Sequence, residues 1–287
     1  METVTPIYIH IDPINLLFFN ELDLSNFTFT DIPEYTYVSI EQTKKITGAD
    51  SVLLTNKDFI IFNDQIQEFF NICKSGFPSF YKDSFWLLTF LRLYIVFLYV
   101  THNNINKFVH LENDNLIYDN FNVFKKLPSG CYFTKVGPQC GSSGLMYCND
   151  IQKFNKVINK MLLLIKKGEH VVRSYTSYDF LSEMILIDLL VQANIADYLP
   201  LFPDDKYFDL TNAVFDGASY GQYIGGTNNG HGPGWYGPNH YVGQKLHNNN
   251  NNINISFNNK NPSINYGNQQ VSIYNLHIHS KNLAQYV

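Results

Sequence analysis

An α/β fold is what this sequence predicts, from three observations. Strand-like and helix-like patterns alternate along the chain with no internal repeat. The most apolar stretch, 84–102, has helical length. After a short polar linker it meets an apolar strand at 107–112, which makes half of a β-α-β unit. The chain has 287 residues, 45% hydrophobic and 16% charged. That is a globular composition, long enough to bury a core.

The elements follow in order. Residues 5–12 alternate and end in an acid, as a first strand does. Residues 35–40 are rich in β-formers and predict a strand, with a short helix from Glu41 stopped by Gly48. Residues 51–55 predict another strand, and 59–73 a strand followed by a helix. Asp83-Ser84 offers an N-cap for helix 84–102. A short strand is expected at 116–118 and another at 143–148. Asn149-Asp150 caps a helix over 151–167, whose Phe154, Val157, Ile158, Met161, Leu162 and Ile165 share one face before Gly168 stops it. A helix is predicted over 177–193, with Asp179 and Glu183 in its first turns where carboxylates suit the helix dipole. Residues 244–264, rich in Asn, read as a flexible surface insertion that buries little apolar area. Residues 270–279 alternate again.

Composition excludes some classes. Net charge is −5 and no basic stripe carries interleaved aromatics, so nucleic acid is not an expected partner. The four Cys form no tight pair and read as free thiols in a reducing compartment. Met1–Val4 lacks the basic start of a signal peptide. Segment 85–100 is too short, and Arg92 too central, for a lipid span, so it reads as a buried helix. The expected location is cytoplasmic (host cytoplasm or virion if viral). The Asn, Ile, Lys and Tyr bias suits an AT-rich genome, as in a large virus, a protist or a low-GC bacterium. The Walker pattern is absent.

Several residues could carry chemistry. Glu112 and Asp114 end the apolar strand as a carboxylate-x-carboxylate step, a natural place for Mg²⁺ or Mn²⁺ with a diphosphate. A solvated strand end reads the same residues. His277 and His279 share a face of the alternating tail and can offer metal nitrogens, with Lys281 next to them for phosphate charge. A surface histidine pair is the alternative. Asp216, just before Gly217, can act as a base or bind a sugar hydroxyl, or can be a turn aspartate. Arg92 needs a partner within its apolar helix, either an acid or a substrate phosphate.

The helix Phe85–Tyr94, the run His110-Leu111-Glu112-Asn113-Asp114-Asn115, the stretch Phe215–Gly226 and the tail Asn275–Lys281 together resemble nucleotide-sugar-dependent glycosyltransferases of the GT-A fold, of the kind found in bacteria and large DNA viruses. The resemblance spans most of 5–281 and lies in the order of the pieces. It implies a single domain over 1–287 with a mixed central sheet flanked by helices. It also implies Mn²⁺ or Mg²⁺ on Asp114 and a tail histidine (His277 or His279), bridging the phosphates of a nucleotide-sugar, UDP-sugar favoured. His10, Asp83, Arg92, Glu112 and Lys281 would face nucleotide or phosphates. Asp216, then Glu183, would serve as general base toward a glycan or protein acceptor. The first acid is Glu112 where the family motif has Asp, which makes Asp114 the expected ligand. The loop 227–243, with Trp235, Tyr236 and His240, would stack on a sugar or close over the donor. A sugar-nucleotide nucleotidyltransferase and a non-catalytic carbohydrate-binding or structural protein are the alternatives.

Overall fold

The computed structural model describes residues 3–11, 31–79, 84–178, 180–247, 253–258 and 260–287. Its strands are β1 (Thr5–Ile9), β2 (Val52–Leu54), β3 (Phe108–Leu111), β4 (Asn115–Ile117), β5 (Cys131–Gly137), β6 (Cys140–Cys148), β7 (Asp197–Tyr198), β8 (Asn254–Asn258), β9 (Asn261–Tyr266), β10 (Gln269–Ser272) and β11 (Asn275–His277). Six of them form a central sheet in the order β2-β1-β3-β6-β5-β7. β1 runs parallel to β2 and β3, β6 is antiparallel to β3 and β5, and β7 is parallel to β5. This is a single α/β domain with a mixed sheet, consistent with a GT-A-like architecture.

Strand alternation divides the core into two layers. Ile7, Ile9, Phe108, Phe133, Met146 and Cys148 face one way. They meet α3 (Asn63–Gly76), α4 (Ser84–His102), α5 (Ile151–Lys167) and α7 (Glu183–Gln192); the short α6 (Glu169–Arg173) and α8 (Phe208–Thr211) flank α7 in sequence. Tyr8, Val109, Leu111, Tyr132, Leu145 and Tyr147 face the other way, toward Phe124, Phe215 and Tyr274. α1 (Glu34–Thr47) covers part of that second face through Ile40 and Ile46.

Helix α5 forms where its pattern predicts. The Asp150 side chain accepts from the Gln152 and Lys153 N–H groups at its start, and five of its six apolar stripe residues are buried. Residues 85–102 of α4 are long and apolar enough to cross a membrane, and half of that span is buried inside the fold. All four cysteines are free and buried.

Four expectations change, and one strand was unforeseen. Residues 35–40 belong to α1, not to a strand. Its buried positions Thr36, Ser39, Gln42 and Thr43 are polar, so no apolar stripe marks the helix. Residues 59–73 are helical throughout: α2 (Asn56–Phe59), a tight 3₁₀ turn and then α3. Phe59 and Phe62 are buried while Ile60 and Ile61 are exposed, the three-residue spacing of a helix. The helix expected over 177–193 begins only at Glu183, after an extended Ser182. β5 was not expected at all. The Asn-rich stretch contributes the end of α10 (Tyr241–His247) and strands β8 and β9, which bury Ile255 and Ile264 in a three-stranded sheet with β10.

Candidate functional site

The site is assembled where β3 ends. Past Leu111, the Glu112 N–H donates to Gly144 O on β6, and the chain turns at Asn113-Asp114 into β4. β4 pairs antiparallel with β11, which sets His277 opposite Asn115. The next backbone bond, Ile278 N–H to Asp114 O, carries the tail past the carboxylate turn. One short ladder thus joins segments about 160 positions apart in sequence. It lies beyond the ends of parallel β1 and β3, where open α/β sheets place ligands.

His277 Nε2 lies 3.0 Å from Glu112 Oε2 and 3.1 Å from Asp114 Oδ1. Burial alone would lower the His277 pKa, but the two carboxylates overcome it and hold it at about 10, so the ring is an imidazolium. Both carboxyls are held well below the usual range despite burial, Glu112 by Arg92 and His277 and Asp114 by His277 and Lys281. Arg92 Nη2 donates to Glu112 Oε1 at 2.7 Å, and Lys281 Nζ donates to Asp114 Oδ2. Arg92 therefore partners an acid of the site.

Asp114, His277 and His279 each offer one ligand atom, and these atoms lie within 4.8 Å of one another. The His279 ring packs edge-on against His277 at 4.5 Å. Burial and the neighbouring imidazolium push its pKa down to about 3, so it is neutral. Its Nδ1 lies 2.8 Å from the Gln222 side-chain amide. One carboxylate and two imidazoles make a donor set that suits Mn²⁺ better than Mg²⁺, which takes oxygen almost exclusively. Glu112 is outside this trio.

Glu183 sits 3% exposed at the start of α7, with Thr89 Oγ1 donating to its Oε2 at 2.5 Å. Burial raises its carboxyl to about 7, against smaller opposing effects of Thr89 and Arg92. His10 lies past the end of β1, its N–H donating to Leu54 O. Asp83 lies outside the described residues.

The expectation of a base at Asp216 is corrected. It is fully buried. Its Oδ1 accepts from the Ala218, Ser219 and Tyr220 N–H groups, and its Oδ2 from those of Gly221 and His277. Five donors leave no oxygen face for a substrate hydroxyl. Asp216 instead ties the start of α9 (Ser219–Gly225) to β11.

Other contributors were not foreseen. Asn275 donates to Asn115 Oδ1 and Asp216 O and accepts from Asp216 N–H, closing a buried polar network. Its place two residues before His277 in an alternating strand was a readable signal. The glycine-rich stretch is a close-approach surface. A Cβ on Gly221 would lie 2.2 Å from His277 O, and one on Gly144 would lie 2.8 Å from the His277 ring. Tyr35, at the start of α1, holds its ring 5.4 Å from Lys281 Nζ. No sequence signal marked it.

No protein-family model matches this chain, and no curated protein matches its sequence. Among solved structures, apo mouse xyloside xylosyltransferase 1 aligns with a TM-score of 0.41 and 9% identity, over 73% of this chain and 92% of that one. The PaToxG glycosyltransferase aligns with a TM-score of 0.34 and 13% identity, over 66% and 69%. Likeness this loose carries no residue's role across.

Proposed function

We propose that this protein is a metal-dependent glycosyltransferase that moves a sugar from a nucleotide-sugar, a UDP-sugar by preference, to a glycan or protein acceptor. The observation that carries the reading is the Asp114, His277 and His279 cluster with Arg92 and Lys281 beside it. Asp114 and the two imidazoles would hold Mn²⁺. A metal held there would supply Lewis-acid stabilisation of the charge that develops on a departing nucleoside diphosphate. To act as a ligand, His277 would give up to solvent the proton it shares with Glu112 and Asp114. Lys281 would then be released from Asp114 to meet phosphate oxygens. Arg92 would hold Glu112 in place, and through it His277. His10 would lie near the nucleotide.

An inverting reaction needs a general base, and Glu183 is the carboxyl tuned close to neutrality beside Arg92. A 2-His-1-carboxylate set on its own also suits ferrous iron. The flanking cations and the open α/β sheet favour a diphosphate ligand instead. The test is release of nucleoside diphosphate from a UDP-sugar with Mn²⁺ present. Release should vanish in Asp114→Asn and in His279→Ala. Equal release without metal would refute the reading.

A further inference from the structure

We propose that the acceptor is a neutral oligosaccharide, held in a cleft at the start of β6, along that strand from the Asp114, His277 and His279 cluster, and on a row of aromatic rings that begins at the cleft. The inference rests on the glycosyltransferase reading above and narrows its acceptor.

The cleft has a volume of about 480 Å³, in the range of small-molecule sites. Pro138, Gln139, Ser177, Tyr178, Asn239 and Gln244 line it, and none of them is charged. Gln139 is already engaged: its Oε1 accepts from Thr176 Oγ1 and the Ser177 N–H, and its Nε2 donates to Tyr175 O. Tyr178 Oη donates to Pro138 O, which turns its ring into a wall. The amides of Asn239 and Gln244 have no side-chain hydrogen bond among the described residues, so each offers a donor and an acceptor to the cleft. Amides beside an aromatic wall are the chemistry of sugar recognition: hydroxyls pair with the amides and the C–H face of a pyranose covers a ring. An anion would find no cation among the described residues of this lining.

The Tyr178 ring begins a row. It lies 5.2 Å from Phe180, Phe180 stacks on Trp86 at 5.0 Å, and Trp86 meets Phe85 at 4.9 Å. Phe180 and Phe85 are 37% and 57% exposed, large apolar side chains that the fold leaves in water.

The cleft is tied to the chemistry by β6. Gly144 abuts the His277 ring, and Gln139 immediately precedes β6. At about 3.3 Å per residue, Gln139 is roughly 16 Å along the strand from Gly144. An acceptor reaching both places is longer than one sugar. On the way lies Cys140, whose Sγ is 4.0 Å from Sδ of Met184, the residue after Glu183. The helix that carries the candidate base therefore packs on the strand that joins cleft and cluster.

Trp86 and Trp235 are the two tryptophans. A Trp235→Phe background leaves Trp86, inside the row, as the reporter. Fluorescence of that protein in EDTA is titrated with chitotetraose, cellotetraose and xylotetraose, and with the matching monosaccharides. At least one tetrasaccharide should shift Trp86 emission saturably, and its monosaccharide should bind at least tenfold more weakly. Asn239→Ala, Gln244→Ala and Phe180→Ser, all surface changes, should each weaken binding by about fivefold to tenfold, the scale of one lost ring contact or hydrogen bond. Silence with all three tetrasaccharides overturns the proposal. So does a response to zwitterionic lipid vesicles alone, or one that merely tracks self-association in sedimentation. Because the titration contains no metal or nucleotide, it is independent of the metal site. Sugar binding without any Mn²⁺ affinity would sink the transferase reading while leaving the cleft. Mn²⁺ and donor binding with silent sugars would sink only the cleft.

Discussion

Asp216→Asn separates a structural anchor from a catalytic base. The substitution keeps size and shape but turns one acceptor oxygen into a donating NH₂ group. If that group replaces Oδ2, the N–H groups of Gly221 and His277 lose their acceptor. If it replaces Oδ1, those of Ala218, Ser219 and Tyr220 do. At about 1–3 kcal/mol for each stranded buried donor, the smaller set costs roughly 2–6 kcal/mol. At about 2–4 °C per kcal/mol for a domain of this size, the melting temperature should fall by roughly 10 °C. Urea unfolding gives the free energy and calorimetry gives the shift. Mn²⁺ affinity should fall as well, because the His277 backbone is one of the tied groups. A variant that melts within about 2 °C of wild type, yet loses turnover, would refute the anchor and restore Asp216 as a base.

Gly221→Ala should destabilise the fold by about 1–3 kcal/mol in urea unfolding, since its Cβ meets the His277 backbone, whereas Gly232→Ala, with open space around it, should leave stability unchanged. The His277 pKa of about 10 lies above its unfolded value near 6.5. Its contribution to stability is therefore complete below pH 6.5 and lost as pH rises through 10, so metal-free wild type should lose more stability across that window than His277→Gln does. Gln222→Met should weaken Mn²⁺ binding, measured by electron paramagnetic resonance, by about tenfold or more through loss of the group that orients His279, and Gln222→Glu should weaken it less. In a double-mutant cycle, Arg92→Gln with Glu112→Gln should show a coupling of about 1–3 kcal/mol in unfolding.

Legibility of the sequence depended on where its signals lie. α5 could be read because an apolar stripe, an N-cap and a stopping glycine agree. α1 could not, because its buried positions carry hydroxyls and an amide. Tyr8 Oη meets Thr43 Oγ1, Ser39 Oγ donates to Asn115 O, and Gln42 Nε2 donates to Ile117 O. Hydrophobic periodicity is silent on such a face. The same blindness hid Tyr35. In the candidate site, the alternation of 275–279 and the acidic strand end were visible as separate pieces. That they meet was not, because the β4–β11 ladder is a long-range pairing. Asp216 misled for a related reason: a sequence shows the carboxylate but not the five N–H groups that converge on it. Asn residues in 254–265 concealed strands whose inward positions are Ile255 and Ile264.

The central claim meets its most direct test in a thermal-shift panel. UDP-, GDP-, CMP- and dTDP-sugars are each added with and without Mn²⁺, to wild type and to Asp114→Asn. One nucleotide-sugar should raise the melting temperature only when Mn²⁺ is present, and Asp114→Asn should abolish the rise while still folding. Equal shifts with and without Mn²⁺, or no shift with any donor, would contradict the account.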